Sequence, residues 1–211
     1  MPLYIFEDQK TNIRVPIFFI HIPKCGGTAI EQFFENAGFN SFLAPRDYKR
    51  VRAFLKVPPA HFDNEILNQL FFMDNLYSFA VVRCPYSRIL SDYKWAKTKT
   101  KAAAFFEKMS FNEFCSDSFE RYKKDNNYLA NHIMPQSKYL DSNVDKIFHL
   151  EDGLEVAIKQ VFSDNNLTIN GDLLLPKINQ GVEEAIEIKT STKNMIYNFY
   201  EEDFKNFGYT R

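Results

Sequence analysis

The chain has 211 residues, of which 45% are hydrophobic and 25% charged, with 22 phenylalanines. That balance excludes a disordered or low-complexity segment and suits one packed α/β domain spanning 1–211. The net charge of -1 excludes an overall basic nucleic-acid binder, yet the halves differ: residues 1–101 hold 14 Lys+Arg against 9 Asp+Glu, and residues 102–211 hold 12 against 18. An anion-binding N-terminal half fits this asymmetry.

The three cysteines, Cys25, Cys84 and Cys115, form neither a disulfide framework nor a zinc-ligand spacing. A reducing compartment is expected. The opening residues lack the basic and apolar regions of a signal peptide, and no apolar run approaches the ~20 residues of a membrane helix. These features predict a cytoplasmic chain without a membrane span. The sequence carries no signal for an oligomer.

The first element is the run Ile17-Phe18-Phe19-Ile20, a strand buried on both faces. Pro23 and Gly26-Gly27 end it. Thr28 is a candidate N-cap for a helix over Ala29–Asn36, with Ile30, Phe33 and Phe34 on one side, and Gly38 stops that helix. Residues 46–56 form a basic segment closed by Pro58-Pro59. Asp63 caps a helix from Asn64 to about Phe72. A second buried strand, Phe79–Val82, leads through Arg83-Cys84-Pro85 into a helix that runs to about Lys97, with Pro suited to the first turn.

Ser110 with Glu113 forms a capping box for a helix from Phe111. Lys146–Leu150 reads as a third short strand and Leu154–Phe162 as a helix. A last helix is expected from Thr190 to about Asn206, where Met195, Ile196, Phe199, Tyr200 and Phe204 recur at helical spacing as a packing stripe. Strands alternating with helices predict a three-layer, P-loop-like α/β domain with a central parallel sheet.

Two loops carry chemistry. The first joins a buried strand to a helix start through Lys24-Cys25-Gly26-Gly27-Thr28. Unpaired backbone N–H groups and the helix dipole bind phosphate-like anions there. The glycines admit close approach, Lys24 adds charge and Thr28 a hydroxyl. The alternative is a tight turn with a solvated lysine. The lysine precedes the glycines, so this is no Walker A sequence.

The second loop places Arg83 at the C-terminal end of a strand, where ligands bind in open α/β sheets. Its guanidinium suits a phosphate. Ser91 follows about two helical turns on; alone it would be a neutral helix residue. Arg88 joins that site or forms a structural ion pair. Two strand-end anion sites point to one ligand with two phosphate groups.

The segment Phe18–Thr28 resembles the 5′-phosphosulfate loop of sulfotransferase family 2, the PAPS-dependent carbohydrate sulfotransferases that include heparan sulfate 2-O- and chondroitin sulfotransferases and their bacterial relatives. Phe79–Tyr93 resembles the family's 3′-phosphate site, with Cys84 where the family has Asn. Ala60-His61-Phe62, Pro135–Leu140 and Phe199–Tyr209 are similar to further family segments, whereas Thr98–Asn131 matches none.

The resemblance implies a sulfuryl donor, 3′-phosphoadenosine-5′-phosphosulfate (PAPS), which becomes 3′,5′-ADP, and no metal. Lys24, Cys25, Gly26, Gly27 and Thr28 would hold the 5′ end, with Lys24 also stabilising the leaving oxygen. Arg83 and Ser91 would hold the 3′-phosphate. The acceptor would be a carbohydrate or small-molecule hydroxyl, with no nucleic acid partner.

An acceptor hydroxyl needs a base, and histidine titrates in the right range. His61 is the choice, because it sits in a loop before a helix and matches the family's catalytic histidine. His21 is expected to shape the first loop and His149 to be a core residue, while His132 is either structural or acceptor-facing. The basic runs 46–56 and 94–101 are solvated helix faces or polysaccharide contacts, and Tyr48 and Trp95 stack on sugars or simply pack. Two other readings stand beside this one: a P-loop-like kinase using ATP, and a non-catalytic 3′-phosphoadenosine nucleotide-binding protein.

Overall fold

In a computed structural model, residues 3–8, 13–43, 54–70, 76–100, 102–168, 175 and 186–211 are described. Most of the basic stretch 46–56, including Tyr48, lies outside them, as does Lys101.

The run that ends in Ile17–Ile20 belongs to β2 (Ile13–Ile20), and β4 (Tyr77–Val82) lies parallel to it, with Ile17 opposite Tyr77 and Ile20 opposite Ala80. Successive side chains of a strand point to opposite faces. Ile17, Phe18, Phe19 and Ile20 are all at most 2% exposed, so both faces of the sheet are covered. β5 (Lys146–His149) continues the parallel set beside β4.

Two further strands complete the sheet. β1 (Leu3–Asp8) and β3 (Asn40–Phe42) are antiparallel additions, and the order is β3-β1-β2-β4-β5. The sheet is therefore parallel only in its β2-β4-β5 part. The reason is reach: the few residues between Asp8 and Ile13 can close a hairpin but not a crossover.

The third strand forms where the sequence places it. It forms the sheet edge, and Lys146 and Ile147 are exposed.

α1 (Gly27–Asn36) and α6 (Leu154–Asp164) cover one face through aromatic contacts. Phe34 stacks on Tyr4 at 4.4 Å and meets Phe79, while Phe33 meets Phe162. On the other face, α2 (Asn64–Leu70) places Leu67 with Tyr139 beside Ile20 and Ser78. Asp63 caps α2 as expected, accepting from the Ile66 amide at 3.0 Å.

A second apolar cluster joins helices outside the sheet: α3 (Pro85–Lys99), α5 (Phe111–Lys124), α7 (Thr190–Phe199) and α8 (Glu201–Asn206), with the short α4 (Ala103–Glu107) beside α3. The Ser110–Glu113 capping box opens α5.

The continuous last helix of the sequence reading divides at Tyr200, which is 1% exposed. Its hydroxyl donates to the Ile133 carbonyl at 2.9 Å. Among the described residues, no helix is long and apolar enough to cross a membrane.

Candidate functional site

Because β2 and β4 are parallel neighbours, the loops that leave them start side by side. They touch: Arg83 Nη1 donates to the Lys24 carbonyl at 3.2 Å. Arg88, 1% exposed, fastens the first loop from beneath. It donates to the carbonyls of Pro23 (3.2 Å), His132 (2.7 Å) and Met134 (2.9 Å). Arg88 thus bonds backbone carbonyls, not the carboxylate of the ion pair considered from sequence.

The glycine loop has an unusual backbone. Lys24 and Gly26 have φ of 68° and 82°, in the left-handed region. Gly26, not Thr28, is the N-cap of α1, and no side chain caps the helix. The amides of Gly27 and Thr28 therefore have no intrahelical acceptor and face outward as donors.

Gly27 is required by space. A Cβ there would lie 2.3 Å from His21 Nε2, and that ring is held by Glu31 Oε1, 2.6 Å from Nδ1. His21 thus packs under the loop and shapes it, as its place at the strand end suggests.

The Cys25 thiol points inward, with Gln136 Oε1 at 3.3 Å and the Pro23 carbonyl at 3.6 Å as acceptors for its one proton, and burial pushes its pKa up to about 12. Any contact from Cys25 to an anion would come from its backbone. Lys24 is half-buried, with Nζ 5.7 Å from the Trp95 ring centroid. Burial draws its pKa below that of an ordinary lysine; Asp92 opposes the shift and Arg83 adds to it.

At the second tip, Arg83 Nε donates to Ser87 Oγ at 3.0 Å, and Nη2 has no partner among the described residues. Ser91 sits half-buried one turn beyond Ser87, and Arg83 reaches Ser87 instead of Ser91. Cys84 offers its amide to Glu151 Oε1 at 2.9 Å, and Glu151 Oε2 accepts from the Tyr209 hydroxyl.

Gln136 couples the two tips. Its Oε1 accepts from the Arg83 amide (2.8 Å) as well as from Cys25, and its Nε2 donates to the Arg83 carbonyl (2.8 Å). Asp203 of α8, fully buried, accepts from the Gln136 amide (2.8 Å) and the Ser137 amide (2.9 Å).

Three imidazoles meet beside Lys24. His61 packs edge-to-face on His21 (5.3 Å between centroids) and on His132 (4.9 Å), and Trp95 stacks on His132 at 4.2 Å. His61 Nδ1 lies 3.0 Å from the Ala130 carbonyl. A carbonyl only accepts, so Nδ1 carries the proton and Nε2 keeps a lone pair. Burial, reinforced by His132 and His21, lowers the His61 pKa well below the usual histidine value.

The segment behind His61 is strained. Leu129, Ala130 and Asn131 have φ of 51°, 54° and 67°. Each costs about 1–2 kcal/mol in a non-glycine residue. The turn is held by Asn131 Nδ2 donating to the His61 carbonyl (2.9 Å) and by the Tyr139 hydroxyl donating to the Asn131 carbonyl (2.6 Å).

His149, expected in the core, lies half-buried at the edge of the sheet, 3.8 Å from Asp152 and beside Tyr209. Lys97 lies over the Tyr93 ring at 5.0 Å, and Trp95 packs on His132.

Sequence reasoning passed over Gln136, Asp203, Asp92 and Asn131 as site residues. The only signals were the segment resemblances over Phe79–Tyr93, Pro135–Leu140 and Phe199–Tyr209, which gave these residues no roles.

A family model described as the sulfotransferase family matches residues 10–210. No curated protein and no solved structure matches the chain.

Proposed function

The chain belongs to the sulfotransferase family, and on that premise we propose that it moves a sulfuryl group from PAPS to a hydroxyl of a carbohydrate acceptor. The observation that carries this reading is the 3.2 Å contact from Arg83 to the Lys24 carbonyl. It brings the two strand-end loops together, which supports their acting on the two phosphorylated ends of one nucleotide.

The residues fit such a ligand. The uncapped start of α1 and the open Nη2 of Arg83 are donors that the fold leaves at the two loops. PAPS supplies a sulfuryl group on a bridging oxygen that departs as part of a phosphate.

Lys24 would neutralise the charge that grows on the departing oxygen, and the Gly26, Gly27 and Thr28 amides, with that of Cys25, would hold the 5′ end. Arg83 would hold the 3′-phosphate, with Ser91 on α3, the helix that follows its loop. The neutral state and free Nε2 of His61 suit it to take the acceptor proton. The carbohydrate acceptor rests on the resemblance of Phe18–Thr28 and Phe79–Tyr93 to carbohydrate sulfotransferases.

Calorimetry with 3′,5′-ADP and with ATP, followed by labelled-sulfate transfer from PAPS to a panel of glycans and small alcohols, tests the reading. Preferential binding of 3′,5′-ADP and label on glycans are expected. Tighter ATP binding would indicate a kinase. Binding without transfer would indicate a non-catalytic nucleotide-binding protein, and label on small alcohols alone would remove the carbohydrate assignment.

A further inference from the structure

The three imidazoles differ in what stands behind them. His21 is committed: its Nδ1 faces Glu31 and its Nε2 is packed under Gly27. His61 has only the Ala130 carbonyl at Nδ1. His132 has a carboxylate, with Nδ1 2.7 Å from Asp92 Oδ1.

Asp92 is 1% exposed, and its Oδ2 has no hydrogen-bond partner among the described residues. A buried carboxylate with an open oxygen is costly unless positive charge stands close by. The groups that face His132 are Asp92 and Arg88 from α3, Lys24 from the glycine loop and His61 from the turn Pro59–His61. Among these Asp92 is the single anion, and it touches His132.

Resting on the sulfotransferase reading, we propose that the proton released by the acceptor hydroxyl comes to rest on Nε2 of His132, with Asp92 as its positioning residue and counter-charge. In that step the O–H bond breaks as the hydroxyl oxygen bonds to sulfur. The bond from sulfur to the bridging oxygen breaks, and its electron pair stays on the departing phosphate beside Lys24. The proton is taken up at Nε2 of His61 and passes to Nε2 of the neighbouring His132, and no electron is gained or lost by the protein.

His132 is the better resting place on Coulombic grounds. An imidazolium at His61 would face two other imidazoles and a carbonyl, whereas one at His132 faces a carboxylate at bonding distance. Burial lowers the pKa of both rings, but at His132 Asp92 works against the lowering and at His61 no carboxylate does. Trp95, stacked on His132, fixes the ring plane, and the Asp92 contact assigns the Nδ1 proton, leaving Nε2 as acceptor.

The test is an imidazole NMR titration of the unmodified protein, free and with 3′,5′-ADP, alongside kinetics of Asp92→Asn. His132 is expected to titrate at higher pH than His61; the reverse order overturns the proposal. In Asp92→Asn, kcat is expected to fall roughly 10²-fold, and its acid limb to move to lower pH, because loss of the counter-charge favours the neutral ring. A lower rate with an unmoved acid limb would make Asp92 merely structural and would also overturn it. Should Asp92→Asn fail to fold, the order of titration in the unmodified protein still decides. Failure of 3′,5′-ADP to bind would sink the sulfotransferase reading instead, with the histidine order still readable in the free protein.

Discussion

The loop after β2 and the loop after β4 present donors by different means. The first offers its main chain: left-handed Lys24 and Gly26, an uncapped helix start and a Gly27 with no room for a Cβ. The second offers one long side chain, Arg83, with Pro85 starting the helix and Gln136 holding the Arg83 backbone on both its N–H and C=O. A main-chain site depends on the absence of side chains and tolerates little change. A side-chain site concentrates its function in one residue, and its backbone must be braced from elsewhere.

Substitutions can break this contrast, the strongest first. Lys24→Ala is expected to lower kcat roughly 10²- to 10³-fold, the loss seen when one donor to a developing oxyanion is removed. The same residue gives a pH signature. Its charged form is the useful one, and its pKa lies below the ordinary lysine value, so kcat/KM should fall with rising pH before a free lysine would titrate. Lys24→Arg should abolish that alkaline limb, since guanidinium stays charged. A limb that persists in the arginine variant would assign it to another group.

Arg83→Ala should act on affinity more than on turnover. Loss of a hydrogen bond to a charged group, about 1.5–3 kcal/mol, predicts 3′,5′-ADP binding weaker by roughly one to two orders of magnitude in calorimetry. Unchanged affinity would remove Arg83 from the site.

The smallest expected effect is that of Gly27→Ala. His21 cannot swing aside while Glu31 holds it, so the methyl should cost about 1–3 kcal/mol of stability, as overpacking does. A melting temperature equal to the parent's would show that the loop has slack.

What could be read from the sequence follows from locality. Strand, glycine loop and helix lie within one stretch, so Lys24–Thr28 and Arg83 stand out as residues at strand ends, and the parallel pairing of β2 with β4 makes the loops neighbours. The Ser110–Glu113 and Asp63 caps are local too, and both form as read.

The residues passed over are those whose partners are remote. Gln136 grips Arg83, Asp203 grips Gln136, and Asp92 meets His132, across separations of 53, 67 and 40 positions. No periodicity encodes such contacts. His149 does not reach the core because its strand, β5, has only one neighbour, β4. Arg88 resembled a second anion ligand because charge alone does not tell a phosphate from three carbonyls.

The grip of Asp203 on the amides of Gln136 and Ser137 has a consequence for the order of synthesis. A nascent chain that has emerged only through β4 has both strand tips but not the brace that holds the Arg83 backbone. On the reading proposed above, the capacity to hold nucleotide would therefore follow the docking of α8 onto Gln136 and Ser137.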